Sequence, residues 1–119
     1  EQAVILAGLD PYAGYLHTDR AGKPSLVLDL IEEFRQSAVD RLVIGLVTRN
    51  FNIEQQQDGR LCEDTRQEYA QKVLDHLNST TRYMGKRYPL RYIMQNQARR
   101  LSAYLRGKST HYEPFLATW

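Results

Sequence analysis

The sequence predicts a mainly helical domain with one short β-hairpin, and three observations carry that reading. Apolar side chains recur at helical spacing in four segments between Leu26 and Leu105. Glycines follow apolar runs at Gly8 and Gly107, where helices usually stop. Only residues 51–62 alternate weakly (Phe51, Ile53, then Leu61) around a turn signal, Asp58-Gly59, and that is where the hairpin is expected.

Taken in order, Ala3–Ala7 reads as the end of a helix stopped by Gly8. The chain opens inside that run and without Met, so it is expected to be a piece of a longer protein. Residues 9–23 read as a loop: Asp10-Pro11 marks a turn, Gly14 permits a tight backbone path, and His17 lies near the middle. From Leu26 to Arg35 a helix is expected, because Leu26, Val27, Leu30, Ile31 and Phe34 share one broad face at about 100° per residue. Asp29, Glu32 and Glu33 fall together on the opposite face. Ser37 and Asp40 form a capping-box pattern that would start the next helix, with Val39, Leu42, Val43, Leu46 and Val47 apolar. The β-branched content of Leu42–Val47 leaves a strand open as an alternative there. Thr65 and Glu68 form a second capping box, after which Tyr69, Val73 and Leu77 step by four. Residues 79–88 look irregular. Pro89 suits the first turn of a last helix, whose stripe runs Leu90, Ile93, Met94, Ala98, Leu101, Leu105.

At 119 residues the chain is one domain, large enough to build a core without disulfides or structural metal. Its 42% hydrophobic and 25% charged residues exclude disordered and collagen-like classes. No apolar run approaches the ~20 residues that span a bilayer, so no membrane partner is expected. Cys62 is the single cysteine, which excludes an intrachain disulfide and suits a reducing, cytoplasmic setting. The charge is strongly segregated. Residues 1–78 carry 8 Lys/Arg against 13 Asp/Glu, whereas residues 79–119 carry 8 against the single acid Glu113. Five of the eight tyrosines (Tyr83, Tyr88, Tyr92, Tyr104, Tyr112) lie in the basic part. An acidic half beside a basic, aromatic half suits a cation plus a polyanion, or simply a basic helix packed on an acidic neighbour.

The residues able to carry chemistry are His17, Asp29 and Glu32. An imidazole and two carboxylates are ligand types that hold Mg²⁺ or Mn²⁺ with positions left for water and phosphate oxygen. On spacing alone the plainer reading stands beside it: Asp29 and Glu32 as a wet helix face, Asp29 favoured near a helix N-terminus, and His17 a satisfied loop histidine. His76 reads as a surface residue, and His111 as structural or a phosphate contact. Cys62 has no partner that would make it a catalytic thiol. Phosphate-loop, nucleophile-elbow and zinc-protease motifs are absent.

Ala3–Arg35, AVILAGLDPYAGYLHTDRAGKPSLVLDLIEEFR, closely resembles the signature of the CRISPR-associated integrase, the large catalytic subunit of spacer acquisition, also described as a metal-dependent DNA endonuclease. Its two blocks, GLDPYAGYLH and SLVLDLIEEFR, recur there in this order and at about this separation. QARRLSAYLRG and HYEPF, further along, agree as well, so the resemblance covers essentially the whole chain. It implies that residues 1–119 are the later part of a C-terminal catalytic helical domain, without the N-terminal β-rich domain and an upstream helix. In that family the metal is held by a Glu from the upstream helix, the His of the first block, and an acid of the second. His17 and Glu32 match the latter two, and Asp29 matches the accompanying essential acid. The implied cofactor is Mg²⁺ or Mn²⁺. The implied reaction is transesterification, in which a prespacer 3′-hydroxyl attacks a phosphodiester at the edge of the CRISPR repeat. Implied partners are double-stranded DNA, a small CRISPR-associated subunit, and a second copy in a homodimer. Arg82, Lys86, Arg87, Arg91 and Arg99 are the candidate DNA contacts. The rival reading is a non-catalytic helical module that binds nucleic acid or protein.

Overall fold

The computed structural model describes residues 1–18 and 20–117. Five helices and one hairpin follow in the order α1 (Gln2–Leu6), α2 (Ser25–Phe34), a π-helical turn (Arg35–Asp40), α3 (Arg41–Thr48), α4 (Glu63–Asn78), β1 (Thr80–Tyr83), β2 (Lys86–Pro89) and α5 (Leu90–Leu105). This is the mainly helical class with a short hairpin that the sequence predicts. None of these helices is long and apolar enough to cross a membrane.

Helix ends follow local chemistry. Gly8 (φ +71°) and Gly107 (φ +70°) are left-handed, and the amide after each bonds back five residues, Leu9 N–H to the Val4 carbonyl and Lys108 N–H to that of Ala103. This six-to-one bond is the Schellman stop. Pro89 sits at the N-cap of α5, where its missing N–H costs nothing.

Two apolar clusters organise the packing. Val4, Leu26 and Val27 join α1 to α2, with Leu101 of α5 against them. Phe34, Tyr83, Leu90, Ile93 and Phe115 join α2, the hairpin, α5 and the C-terminal segment. Phe34 and Phe115 stack with centroids 5.3 Å apart, and Tyr83 meets Phe115 edge-on at 6.1 Å. Helix α5 therefore serves both clusters, one through each end of its stripe.

Three local expectations change. The hairpin lies at 80–89, not 51–62: Thr80 pairs with Pro89 and Tyr83 with Lys86 around a two-residue turn, Met84-Gly85, with φ of 49° and 81°. Positive φ at both central residues is the twist-matched hairpin turn. Around Gly59 the chain does turn back, but a single bridge, Gln55–Leu61, is all the pairing it makes. Neither capping box forms. Ser37 does not start a helix, because the helical backbone runs on through the wider π turn and its hydroxyl donates to the Phe34 carbonyl at 3.1 Å. Helix α4 starts two residues before Thr65, whose hydroxyl accepts the Glu54 N–H at 3.3 Å. Residues 42–47 are helical, which closes the strand alternative.

The molecule is a thin plate of 51 × 39 × 20 Å with a radius of gyration of 16.5 Å. A compact domain of this length would have about 13–14 Å. Helix α3 packs chiefly on the preceding π turn and buries none of its residues.

Candidate active site

The loop after α1 is built onto the first turns of α2. The Asp10 side chain accepts the Tyr12 N–H at 2.9 Å, the turn expected of Asp-Pro. Buried Ser25 donates its hydroxyl to the Tyr12 carbonyl at 2.5 Å, and Leu26 N–H bonds to the Pro11 carbonyl at 3.0 Å. Gly14 is required by space rather than by φ: a Cβ there would stand 2.4 Å from Ser25 Cβ and 2.7 Å from the His17 carbonyl oxygen.

Asp29, one turn further along α2, closes the loop. Its Oδ2 accepts from Tyr15 N–H (2.5 Å) and Leu16 N–H (3.0 Å), and its Oδ1 from His17 N–H (2.9 Å) and His17 Nδ1 (2.6 Å). Four donors fill the roughly four acceptor positions of a carboxylate. Burial alone would push this carboxyl up. The bonds from Tyr15, the His17 ring, Leu16 and His17 N–H outweigh it and hold the pKa at about 2. The Asp29 side chain is only 8% exposed and that of His17 32%. With Nδ1 donating to Asp29, His17 keeps the tautomer whose Nε2 lone pair is free, the carboxylate–histidine pairing found behind metal ligands.

Glu32 stands apart from that pair. Its side chain is 46% exposed and lies 3.4 Å from Arg35. With Asp29 it borders a cleft of about 400 Å³ whose other side is the C-terminal segment Pro114–Ala117. Among the described residues, no three His, Cys, Asp or Glu side chains gather into a group that could hold a metal. Of the three candidates, those not saturated by the loop are His17, at Nε2, and Glu32, whose carboxylate is shared with Arg35. Their chemistry suits Mg²⁺ or Mn²⁺, which keep several waters and need few protein ligands.

The sequence placed Glu33 with Asp29 and Glu32 on one polar face, yet it does different work. Its carboxylate accepts from Gln97 Nε2 (2.5 Å), Tyr112 hydroxyl (2.5 Å) and Phe115 N–H (2.6 Å). Gln97 is wholly buried at 0% exposure and also accepts the Tyr83 hydroxyl at 2.9 Å. Burial, then the bond to Glu33, pushes the Tyr112 hydroxyl far above its ordinary value, so it stays a donor. His76, expected at the surface, is half-buried and donates Nε2–H to the Ser37 carbonyl at 2.6 Å, inside the π turn.

The candidate DNA contacts fall in two places. Arg82, Lys86 and Arg87 sit on the hairpin and Arg91 opens α5, all exposed. Arg82 and Arg87 are direct cross-strand partners, a like-charge pairing that weakens a hairpin by itself. Arg87 is also tied to Thr80, through its hydroxyl at 3.2 Å and its carbonyl at 2.7 Å. Tyr88 and Tyr92 stack beside them at 4.9 Å. Arg99 lies elsewhere, with Arg106 and Lys108 around a shallow concavity near the end of α1. Neither Arg106 nor Lys108 is among the DNA contacts expected from the sequence, where they look like the ordinary basic end of a helix.

The family model described as CRISPR associated protein Cas1 matches residues 1–75. A CRISPR-associated endonuclease Cas1 of Archaeoglobus fulgidus is 40% identical over 99% of this chain and 35% of its own length. One of Thermus thermophilus is 42% identical over 97% of this chain and 37% of its own. The chain thus spans about a third of the curated relatives it matches. Among solved structures, a casposase bound to integration product superposes with a TM-score of 0.84 at 27% identity, covering 98% of this chain and 37% of that one.

Proposed function

The chain belongs to the Cas1 family, and from that premise we propose that the protein carrying it is a metal-dependent DNA endonuclease and integrase that inserts spacers into CRISPR arrays. The observation that carries the reading is the His17–Asp29 pair, 2.6 Å apart, set beside a cleft bordered by Glu32. A binding module has no need to spend a buried carboxylate on fixing one imidazole tautomer.

His17 and Glu32 would hold Mg²⁺ or Mn²⁺, together with a further carboxylate from outside these residues. Asp29 acts behind His17, holding ring and loop in place. The bound cation supplies charge that polarises a phosphodiester and stabilises the leaving oxygen. In the transesterification, a prespacer 3′-hydroxyl forms a new P–O bond to a phosphate at the repeat edge as the existing P–O bond breaks. Arg82, Lys86, Arg87 and Arg91 hold DNA through its phosphates with little base preference, and Arg99 adds to a second basic patch. Prespacer and repeat DNA, a small CRISPR-associated subunit and a second copy of the protein are the partners of this reading.

The test uses the intact protein with Mn²⁺ and prespacer DNA. His17→Ala abolishes integration while DNA affinity stays nearly unchanged. Asp29→Asn lowers the rate about 10–100-fold, as removal of a ligand's supporting partner does. Neutralising Arg82, Lys86, Arg87 and Arg91 together weakens binding, each lost phosphate contact lowering the log–log salt slope by ~0.9. Full activity in His17→Ala would defeat the catalytic reading in favour of the binding module, and an unchanged slope would defeat the DNA path.

A further inference from the structure

Glu32 and Glu33 are neighbours on α2 with opposite fates. Both border the cleft, but Glu32 is exposed and lies against Arg35. Glu33 receives three donors and no cation: Gln97 from α5, and Tyr112 and Phe115 from the C-terminal segment. A carboxylate with three hydrogen bonds is strongly committed to its partners, since bonds to a carboxylate are stronger than those between neutral groups. The segment it grips has few other polar ties, chiefly Arg100 at 3.5 Å from Glu113, beside the packing of Phe115 and Ala117 on the apolar cluster. Phe115 alone of Pro114–Ala117 is buried, stacked on Phe34, while Leu116 is 81% exposed. Gln97 adds one further tie, donating to the Glu113 carbonyl at 3.0 Å. Those four residues form the side of the cleft opposite Asp29 and Glu32, and Leu116 and Leu16 both stand at its rim.

We propose that Glu33 is a positioning residue: by gripping Tyr112 and Phe115 it holds Pro114–Ala117 as the wall of the Asp29–Glu32 cleft, and so sets how a DNA strand lies across it. Glu33 itself touches neither cation nor phosphate. The wall sets Pro114 and the exposed Leu116 across the cleft from Asp29 and Glu32. The inference rests on the nuclease reading for its substrate, but the grip itself does not.

The intact protein and its Glu33→Ala, Glu33→Gln and Tyr112→Phe variants test this by two readouts: hydrogen exchange at the Phe115 amide, and Mn²⁺-dependent kinetics on DNA. In Glu33→Ala the amide exchanges at least about tenfold faster, and KM for DNA rises about five- to tenfold with kcat within about twofold. Glu33→Gln restores both, because its carboxamide oxygen still accepts from Phe115 and its NH₂ can donate to the Tyr112 oxygen. Tyr112→Phe moves both in the same direction by less, and decides the matter if Glu33→Ala does not fold. A Gln variant as impaired as Ala, with the loss in kcat, would mean that Glu33 touches the reacting groups and would overturn the proposal. Unchanged exchange at Phe115 in both Glu33→Ala and Tyr112→Phe would overturn it too. That arm needs no substrate, so an inactive wild type would defeat the nuclease reading while the grip is still decided.

Discussion

The loop that carries His17 and the helix α3 are both short, both attached to α2, and held in opposite ways. Residues 10–17 have almost no apolar burial, yet Ser25, Leu26 and Asp29 bind them through six hydrogen bonds to named backbone or ring atoms. Helix α3 has the apolar residues, but Val43, Ile44 and Val47 are exposed, and Phe51, Ile53, Leu61 and Tyr69 continue the surface beside it. Apolar content therefore does not decide which segment is fixed. Directional bonds from a buried helix start can hold a polar loop at a set position, whereas an apolar helix without a covering neighbour is held by the covalent chain and one turn of packing.

Two glycines break the comparison most sharply. Gly14→Ala forces a methyl group to within 2.4 Å of Ser25 Cβ, against a helix start that cannot give way. Destabilisation of about 2–3 kcal/mol is expected from such overpacking, read by urea unfolding, with the His17 imidazole resonances shifted. Asp29→Ala comes next. It strands three loop amides and the His17 ring, and should cost about 2 kcal/mol or more, seen in the same unfolding experiment and as fast exchange at Tyr15–His17. The ionised Asp29 also makes the loop acid-sensitive. Its folded pKa of about 2 lies below the ordinary 3.8, so its contribution is complete above 3.8 and disappears as pH falls towards 2. An acid titration of wild type should lose this contribution, and Asp29→Asn should not; a flat profile in wild type would mean that the carboxylate is not held as described.

On the α3 side the signs reverse or vanish. Gly45 lies inside α3 with nothing within 4 Å of an added Cβ. Gly45→Ala should therefore stabilise by about 0.5–1 kcal/mol, the opposite sign to the same substitution at Gly14. Ile44→Lys should change stability by less than about 0.5 kcal/mol; a larger loss would show that α3 is covered in solution.

What the sequence made legible follows the same division. The stripes of α2 and α5 and the stops at Gly8 and Gly107 were readable because each is decided within a few residues. The hairpin was not. Asp58-Gly59 has the better turn signature, but strands form at 80–89, where Tyr83 is drawn inward by Gln97 and Phe115, residues 14 and 32 positions away. The capping boxes failed for a related reason, since Thr65 serves the backbone of Glu54 instead of its own helix. In the candidate site, the sequence puts forward His17, Asp29 and Glu32 together, but does not reveal that Asp29 is saturated by four loop donors while Glu32 sits half-exposed against Arg35. Glu33 looked like a third wet acid, because its partners lie 64 to 82 residues away.

The π turn at Arg35–Asp40 has its own consequence. An α-helix advances about 100° per residue, and a π turn fits one more residue into a similar rise. The turn thus acts as a phase shifter in an otherwise unbroken helical rod. Upstream of it, α2 points its apolar side at the two clusters; downstream, the apolar stripe resumes one residue later than an unbroken α-helix would place it, and His76 donates to the Ser37 carbonyl within the turn. Removing a single residue between Arg35 and Asp40 would let ordinary α-helix run through and leave the face of α3 nearly where it stands, whereas the same deletion inside α2 or α3 would turn everything beyond it by about 100°.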